Sequence, residues 1–220
     1  MDETMIELTI AALREVALDT REIVLARRDG GELPQFSAGS HVVCALPVHG
    51  GIKLNPYSLL GDPARRDRWR IAVQRDAASR GGSAWLCEQA RVGATLRVSA
   101  PVNRRPIARE ASHHLLIGAG IGITPMLAYA HELARDERTF EVHYAYRERA
   151  RAAFVDELEE VSPGRLHRYD DSLRQRLQLG ALLAGRAPTT HVYISGPRAM
   201  IEQCRATTAA MGWHADRLHA

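Results

Sequence analysis

The sequence predicts two domains, an N-terminal antiparallel β-barrel followed by a C-terminal α/β domain built on a parallel sheet. The first half contains short strand-like segments separated by turn residues, a pattern typical of small antiparallel barrels. After Pro101, strand-like and helix-like segments alternate, which is typical of a parallel sheet with helices on both faces. We therefore place the two domains at residues 1–104 and 111–220, with a connector at residues 103–110.

The predicted barrel strands are short segments in which apolar and β-branched residues recur between turn signals. They are residues 6–10, 21–26, 41–46, 70–73 and 95–99. Turns such as Asp29-Gly30-Gly31 separate them. One or two helical turns fit residues 82–88, where Ser83 is a candidate cap.

The C-terminal half has four predicted strands, each followed by a predicted helix. The strands are residues 114–117, 139–144, 165–169 and 191–194, and the helices are residues 125–135, 154–160, 175–183 and 198–211. Parallel sheets of this kind bind ligands at the carboxyl ends of their strands. The loops that follow these strands are therefore the first places to look for site residues.

The loop after the first of these strands is rich in glycine. Its candidate binding residues are Gly118, Gly120, Gly122, Thr124 and Pro125. A buried strand, a tight turn and a helix start present unpaired N–H groups to a phosphate, so a dinucleotide pyrophosphate is a suitable ligand. The spacing departs from G-x-G-x-x-G because Ile123 stands at the third glycine position. A close-packed structural turn is the alternative interpretation.

Three further segments hold candidate site residues. They are Asn55, Tyr57, Ser58 and Leu59; Arg80, Gly81, Gly82 and Ser83; and Ser195, Gly196 and Pro197. The first places an aromatic face beside a hydroxyl, and the second combines a guanidinium with flexible backbone amides that suit a phosphate. The third joins the last predicted strand to the last helix. Taken singly, each also fits an ordinary role as a packing aromatic, a surface turn or a helix start.

Composition favours a globular protein and disfavours several other classes. Of the 220 residues, 45% are hydrophobic and 25% are charged, as in an ordinary globular domain. No apolar segment approaches the roughly 20 residues of a membrane helix, and the N-terminus lacks the basic flank of a secretory signal, so we expect a cytoplasmic protein without membrane association. The 29 basic and 26 acidic residues form no long basic run, which gives no indication of nucleic-acid binding.

The cysteines and histidines give no indication of a metal site. Cys44, Cys87 and Cys204 are far apart and odd in number, so we expect buried thiols instead of a disulfide framework or a zinc site. The ten histidines are scattered and form no H-E-x-x-H motif.

In their order along the chain, these motifs resemble the ferredoxin-NADP reductase superfamily, and most closely its phthalate dioxygenase reductase branch. The resemblance covers nearly all of the chain. It implies a flavin-binding barrel and a nucleotide domain that binds NAD(P)H, with the nicotinamide meeting the flavin between them. It also implies FMN as the flavin, with FAD as the alternative.

The same resemblance assigns roles to individual residues. Tyr57 would lie beside the flavin ring, the Ser58 hydroxyl near its reactive N5, and residues 80–83 around its phosphate. Residues 118–125 would bind the pyrophosphate, and Ser195, Gly196 and Pro197 would lie near the nicotinamide. Ser58, Tyr57 and Ser195 are thus the expected catalytic residues. Glu148 would accept a hydrogen bond from the 2′-hydroxyl of the adenosine ribose and repel a 2′-phosphate, which favours NADH over NADPH. The neighbouring Arg147 favours the opposite choice.

The chain departs from the family pattern at two site positions. Asn55 stands where the pattern has arginine, so Arg75 and Arg80 would have to neutralise the flavin phosphate. Since a charge-assisted hydrogen bond is worth roughly 1.5 to 3 kcal/mol, we expect easily lost flavin, with a dissociation constant above the nanomolar range. Ser195 replaces the usual cysteine.

The function that the resemblance implies is an NADH-dependent reductase that passes electrons through FMN to an iron–sulfur or oxygenase partner. A ferredoxin-type domain usually follows in this branch. The three cysteines cannot supply its four ligands, so we expect no iron–sulfur cluster in this chain and either a stand-alone reductase or a shortened form. The alternatives are an NAD(P)H:flavin reductase that supplies free reduced flavin, and a non-catalytic flavin- or nucleotide-binding regulatory subunit.

Overall fold

The structure, a computed structural model, describes residues 5–48, 50–76 and 81–220. The chain divides into two compact units, Met1–Pro106 and Ile107–Ala220. This division falls inside the connector predicted at residues 103–110.

The first unit is an antiparallel sheet. Its strands are β1 (Ile6–Ala17), β2 (Thr20–Ala26), β3 (Ser40–Val48), β4 (Gly51–Ser58), β5 (Trp69–Gln74), β6 (Thr95–Val98) and β7 (Val102–Asn103). They lie in the order β4-β3-β6-β1-β2-β5, and β7 pairs with β3. The two ends of this order approach each other, because the N–H of Leu60, just after β4, donates to the carbonyl of Arg70 in β5 at 3.0 Å. A short helix, α1 (Gly82–Ala84), continues as a π-helical turn at Trp85–Gln89.

Three strands of this unit differ from the sequence-based expectation: β1, β4 and the two-residue β7, which was not predicted. β1 continues to Ala17, well past residue 10, and two bulges interrupt its pairing with β2, which hides the alternation that identifies a strand. β4 was not predicted as a strand, because Gly51, Asn55 and Pro56 are poor strand formers. Its position at the end of the sheet order tolerates Pro56, which has no N–H to donate.

The second unit is a parallel sheet with helices. Its strands are β8 (His113–Ala119), β9 (Phe140–Tyr146), β10 (Leu166–Asp170), β11 (Thr190–Ser195) and β12 (Leu218–His219), in the order β10-β9-β8-β11-β12. The helices are α2 (Ile123–Arg135), α3 (Val155–Val161), α4 (Leu179–Leu183) and α5 (Arg198–Ala210). The predicted fold class, an antiparallel-sheet domain followed by a parallel α/β domain, is confirmed.

Helix α4 is shorter than the helix predicted at residues 175–183. Arg174 adopts a left-handed conformation with φ of 59°, and the N–H of Gln175 donates back to the carbonyl of Asp170 at 3.0 Å. The chain therefore completes a turn after β10 before it enters the helix at Leu179.

The sheet of the second unit is covered on both faces. One face contributes Leu115, Ile117, Val192 and Ile194 to a core with residues of α4 and α5, including the fully buried Cys204. On the opposite face, the ring of Tyr193 in β11 contacts that of Tyr129 in α2, with a centroid separation of 4.6 Å. Both central strands, β8 and β11, are thus fixed from two sides.

The thiols of Cys44, Cys87 and Cys204 are free; Cys44 and Cys204 are buried, while Cys87 is half-buried. Within the described ranges, every helix is too short or too polar to cross a bilayer.

Candidate functional site

The glycine turn of the second unit lies at the carboxyl end of β8. A 3₁₀ turn at Gly120–Gly122 follows the strand and leads directly into α2 at Ile123. Gly120 has φ of 52°, in the left-handed region that favours glycine. A Cβ added at Gly118 would lie 2.8 Å from Ile123 Cδ1 and 2.9 Å from Ile123 Cα, so glycine lets the helix start directly above the strand end.

A second loop packs against this turn through another close approach. A Cβ added at Gly122 would lie 2.2 Å from the carbonyl oxygen of Ser195 and 2.7 Å from the nitrogen of Gly196. From the other side, a Cβ at Gly196 would lie 2.8 Å from Ala119 Cβ. β8 and β11 are neighbours in the sheet, with Gly118 opposite Ser195. The structure therefore brings together two of the segments that the sequence analysis singled out.

The start of α2 places backbone N–H groups at this edge, of which that of Ile123 already donates to the carbonyl of Gly120. The first N–H groups of a helix have no acceptor within the helix, and they carry the positive end of its dipole. Pro125, at the third helical position, has no N–H to contribute. The buried Thr124 donates its hydroxyl to the carbonyl of Ile121 at 3.0 Å, which fixes the turn and leaves the hydroxyl oxygen able to accept.

Glu148 lies two residues beyond β9, the neighbour of β8 on the other side. Its Oε1 accepts from Nε of Arg151 at 3.0 Å, and the Glu148 side chain is 48% exposed. The exposed Arg147 precedes it, and its carbonyl accepts from the N–H of Ser172 at 2.9 Å. The sequence analysis missed the ion pair with Arg151, for which the i,i+3 spacing was the available signal.

In the first unit, Asn55 and Tyr57 lie on the same face of β4. Asn55 Nδ2 donates to the Tyr57 hydroxyl oxygen at 3.3 Å. Burial of the ring raises the pKa of Tyr57, so the phenol stays neutral across the physiological range. The pair presents an aromatic face and an amide from one stretch of backbone.

The glycine loop of the first unit packs directly against this pair. Gly81 adopts φ of 97°, and a Cβ added at Gly82 would lie 2.3 Å from Asn55 Nδ2. Glycine at position 82 is therefore what allows the loop to lie beside β4. The Ser83 hydroxyl accepts from the N–H of Asp76 at 3.3 Å, so it helps to hold the loop.

The remaining predicted residues of this unit have different surroundings. Ser58, the last residue of β4, is half-buried and lies opposite His41 in the β3–β4 ladder, so strand alternation places its side chain on the face opposite that of Tyr57. Leu59 is fully buried, so its side chain belongs to the core. Arg75 forms an ion pair with Glu88 through a contact of 2.6 Å from its Nε. Arg80 lies outside the described residues.

A further polar cluster, which sequence reasoning missed, lies on the face of the parallel sheet that packs on α4 and α5. Arg186 donates from both terminal nitrogens to the two carboxylate oxygens of Glu141, each at 3.0 Å. His143 contacts Glu141 through Nε2 at 3.1 Å and the Tyr169 hydroxyl through Nδ1 at 3.0 Å. The alternation of Glu141 and His143 along β9 was the sequence signal for this shared face.

The protonation of this cluster follows from its contacts. Burial lowers the pKa of His143 to about 4, so the ring is neutral near pH 7. Its Nε2 then donates to the carboxylate while Nδ1 accepts from the Tyr169 hydroxyl. Burial alone would raise the pKa of Glu141, but hydrogen bonds from Arg186 and His143 lower it to about 2.

Glu141, His143 and His167 also carry metal-ligand atoms within 4.8 Å of one another. The rings of His143 and His167 are stacked, with centroids 4.7 Å apart and planes 10° apart. Because nitrogen lone pairs lie in the ring plane, stacked rings direct them side by side and away from a common point. We therefore interpret the group as a hydrogen-bonded ion-pair cluster.

Comparison with known proteins identifies the family. A family model described as the N-terminal domain of DmmA-like dimethylamine monooxygenase subunits matches residues 100–218. The chain is 45% identical over 216 residues to the heme-dependent oxidative N-demethylase beta subunit of Ectopseudomonas mendocina (strain ymp), covering 98% of this chain and 68% of that one. It is 41% identical over 218 residues to the vanillate O-demethylase oxidoreductase of Pseudomonas sp. (strain HR199 / DSM 7063), with coverages of 98% and 68%.

A solved structure agrees with these relatives. Phthalate dioxygenase reductase, a modular structure for electron transfer from pyridine nucleotides to a 2Fe–2S centre, superimposes with a TM-score of 0.90 at 32% identity, covering 99% of this chain and 68% of that one. The chain belongs to the ferredoxin-NADP reductase family. Within it, the chain groups with the reductase components of oxygenases, so the predicted family and enzyme class, an oxidoreductase, are confirmed.

The Gly122 contact in this reductase gives a direct test of the paired loops. We expect Gly122→Ala to destabilise the protein by about 2 kcal/mol or more, because the new methyl would overlap backbone atoms that cannot rotate away. Gly180→Ala is the control: Gly180 lies in α4 with no heavy atom within 4 Å of its added Cβ. That variant should be neutral or more stable by about 0.5–1 kcal/mol. Equal melting temperatures for the two variants would contradict the close approach.

The pKa of His143 predicts how the stability of the reductase depends on pH. An unfolded histidine binds its proton near pH 6.5 while the folded ring does so near pH 4, so the unfolded state gains protons first as the pH falls. We expect the free energy of unfolding to drop by on the order of 2–3 kcal/mol between pH 7 and pH 4 from this group. Urea titrations at pH 7.0 and 4.0 measure it. His143→Gln, which cannot titrate, should show a smaller drop, and an unchanged drop would assign the effect elsewhere.

Proposed function

We propose that this protein is an NADH-dependent flavoprotein reductase that passes electrons through bound FMN to an iron–sulfur or oxygenase partner in the cytoplasm. The packing of Gly122 against Ser195 and Gly196 carries the proposal, because it assembles two predicted nucleotide-binding loops at the carboxyl edge of one parallel sheet. The relatives support the rest: one is the oxidoreductase of a vanillate O-demethylase, and another transfers electrons from pyridine nucleotides to a 2Fe–2S centre.

The nucleotide belongs to the second unit, residues 111–220 of the predicted division. The N–H groups at residues 118–124 would bind the pyrophosphate, assisted by the dipole of the 13-residue helix α2. The Ser195 hydroxyl, at the end of β11, would hydrogen-bond near the nicotinamide, and Gly196 and Pro197 would direct the chain away from it. Glu148 would accept from the ribose hydroxyls of the adenosine.

The flavin belongs to the first unit, residues 1–104 of that division. The residues fit such a ligand, because the Gly81-Gly82 loop lies in close contact with the Asn55 amide, which donates to the hydroxyl of the half-buried Tyr57. Tyr57 would stack on the ring, and backbone amides of Gly81, Gly82 and Ser83 would bind the phosphate. Ser58 is on the other face of the strand but is its last residue, and there it would place a hydroxyl beside the reactive edge where β4 ends. The chemistry that a flavin supplies when bound is to accept a hydride and to pass the electrons on one at a time.

The residues proposed for the flavin in the first unit and for the nucleotide in the second would each orient their own ligand and need not exchange protons with it. Tyr57 stays protonated because burial raises its pKa, and the Ser58 and Ser195 hydroxyls are neutral donors. Their contribution is to position the groups and to exclude water, which is worth most when the reacting atoms are held in contact. FMN is favoured over FAD, and NADH over NADPH, on the family resemblance and on Glu148.

A specific observation supports a second candidate function, an NAD(P)H:flavin reductase that releases reduced flavin. Asn55 is neutral, and Arg75 is already paired with Glu88, so neither offers an unengaged cation to the flavin phosphate. Flavin that behaves as a saturable substrate during turnover would favour this candidate. Flavin that stays bound through gel filtration, with a dissociation constant at or below the nanomolar range, would contradict it.

We expect NADH to bleach the visible absorbance of the FMN-loaded protein under anaerobic conditions. Ser58→Ala should slow the bleaching about tenfold or more at an unchanged FMN dissociation constant, because one hydrogen bond beside the reactive edge is lost. Stopped-flow absorbance and fluorescence titration measure the two quantities. Tight binding of NADH without any bleaching would instead support a non-catalytic nucleotide-binding subunit.

The charge of Glu148 is the proposed cause of a preference for NADH over NADPH. Glu148→Gln should reduce the preference for NADH over NADPH by about tenfold, measured as the ratio of kcat/KM values, because repulsion of the 2′-phosphate is removed. Glu160→Gln, an exposed glutamate of α3, is the control and should leave the ratio unchanged. A ratio that responds equally to both variants would show only a general effect of charge.

A further inference from the structure

The outer side of β4 carries an unusual row of exposed apolar residues. The side chains of Ile52 and Leu54 are 64% and 62% exposed, and Pro56 continues the row. Successive strand residues point to opposite faces, so Asn55 and Tyr57 lie on the other side of the same strand. They oppose the fully buried Cys44 and Val42 of β3, which identifies that other side as the inner one.

The apolar row continues across the neighbouring strands. In the β3–β4 ladder, Pro47 lies opposite Ile52 and Ala45 lies opposite Leu54. Val102 of β7, opposite His41, is 37% exposed. We call the exposed members of this surface the β4 apolar face. Its residues are Pro47, Ile52, Leu54, Pro56 and Val102.

Arginines border the β4 apolar face. Arg97 lies opposite Ala45, so it extends the row that contains Leu54, and it is exposed. The exposed Arg104 and Arg105 follow the end of β7 at Asn103. Their charges reach His41, because after burial they are the next causes that lower its pKa.

The charge of β3, β4, β6 and β7 is positive. Residues 33–61 and 89–109, which include β3, β4, β6 and β7, contain no aspartate or glutamate. The nearest acidic residue in the ladder is Glu7 of β1, opposite Arg97. An apolar centre with a basic border is typical of a surface that binds an acidic protein, since the apolar part provides affinity and the charges orient the partner.

The position of the surface suggests what the partner does. Leu54 and Pro56 alternate with Asn55 and Tyr57 along one strand, so a protein bound on the outer side is separated by the thickness of this strand from Tyr57, the residue proposed to stack on the flavin ring. An electron acceptor needs such proximity, whereas a structural partner does not. The acidic partner of a reductase that donates single electrons is therefore a redox protein.

We propose that the β4 apolar face, with Arg97, Arg104 and Arg105, is the docking surface for an acidic 2Fe–2S ferredoxin-type electron acceptor. This inference rests on the proposed function and adds to it the surface through which electrons leave. A second copy of this chain and an anionic membrane are the other possible occupants, and the test separates them.

The test uses the FMN-loaded full chain with a purified acidic 2Fe–2S ferredoxin as the probe. Arg104→Glu/Arg105→Glu should raise the KM for ferredoxin at least tenfold, and Ile52→Ser/Leu54→Ser at least threefold, in NADH-driven reduction. Both variants should reduce ferricyanide with NADH at the wild-type rate, because a small acceptor needs no docking surface. The KM should also rise with ionic strength in the wild type and much less in the charge-reversed variant.

Matched controls keep the result specific. Arg27→Glu/Arg28→Glu reverses another adjacent, exposed pair, after β2, and Leu18→Ser removes another exposed leucine, 48% exposed. Neither should change the KM for ferredoxin more than twofold. Equal effects of the controls and the face variants would overturn the proposal, and so would an unchanged KM in the face variants.

Two outcomes assign the surface to another occupant and likewise overturn the proposal. One is a dimer in sedimentation that the face variants convert to monomer while ferredoxin kinetics stay unchanged. The other is wild-type binding to vesicles with 30% phosphatidylserine that the face variants lose, again with unchanged ferredoxin kinetics. Failure of the proposed function is distinguishable, because NADH would then bleach no flavin and reduce no ferricyanide. Direct titration of ferredoxin onto the protein without NADH would still report the docking surface.

Discussion

The close approach of Gly122 to the backbone of Ser195 and Gly196 is the constraint on which the nucleotide half of the molecule depends. A side chain at position 122 would occupy the space of the Ser195 carbonyl, so only glycine lets the start of α2 lie against the end of β11. That contact turns two loops, which are more than seventy residues apart in the chain, into one edge of a sheet with helix N–H groups directed outward. The chemistry proposed for this unit follows from that edge.

The first unit also has glycines where two segments of the chain approach each other closely. Gly82 lies so close to Asn55 that a Cβ would overlap the amide, and the left-handed Gly81 makes the preceding turn possible. In both units, glycine has been placed where backbone must approach another segment, and the polar groups beside it remain available to a ligand. The Asn55 amide and the Tyr57 ring, which share one face of β4, then add specificity to the surface beside this glycine loop.

Charge is distributed unevenly over the molecule. Glu141 and Arg186 neutralise each other on a covered face of the parallel sheet. The neutral ring of His143 forms hydrogen bonds there with the Glu141 carboxylate and with the Tyr169 hydroxyl. The strands β3, β4, β6 and β7, by contrast, contain cations and no carboxylate. The first arrangement holds β9 and the segment after α4 together. The second leaves a surface whose field extends into solvent and attracts an acidic protein.

The sequence by itself determined the fold class, the family, the turn at residues 118–125 and the alternation of strands and helices, because these depend on local periodicity and on glycines at short spacing. Tertiary structure alone decided the rest. β4 is a strand because pairing with β3 overrides the poor propensity of Asn55 and Pro56. The ion pairs of Arg75 with Glu88 and of Arg186 with Glu141 join residues thirteen and forty-five positions apart, and no local pattern encodes such distances.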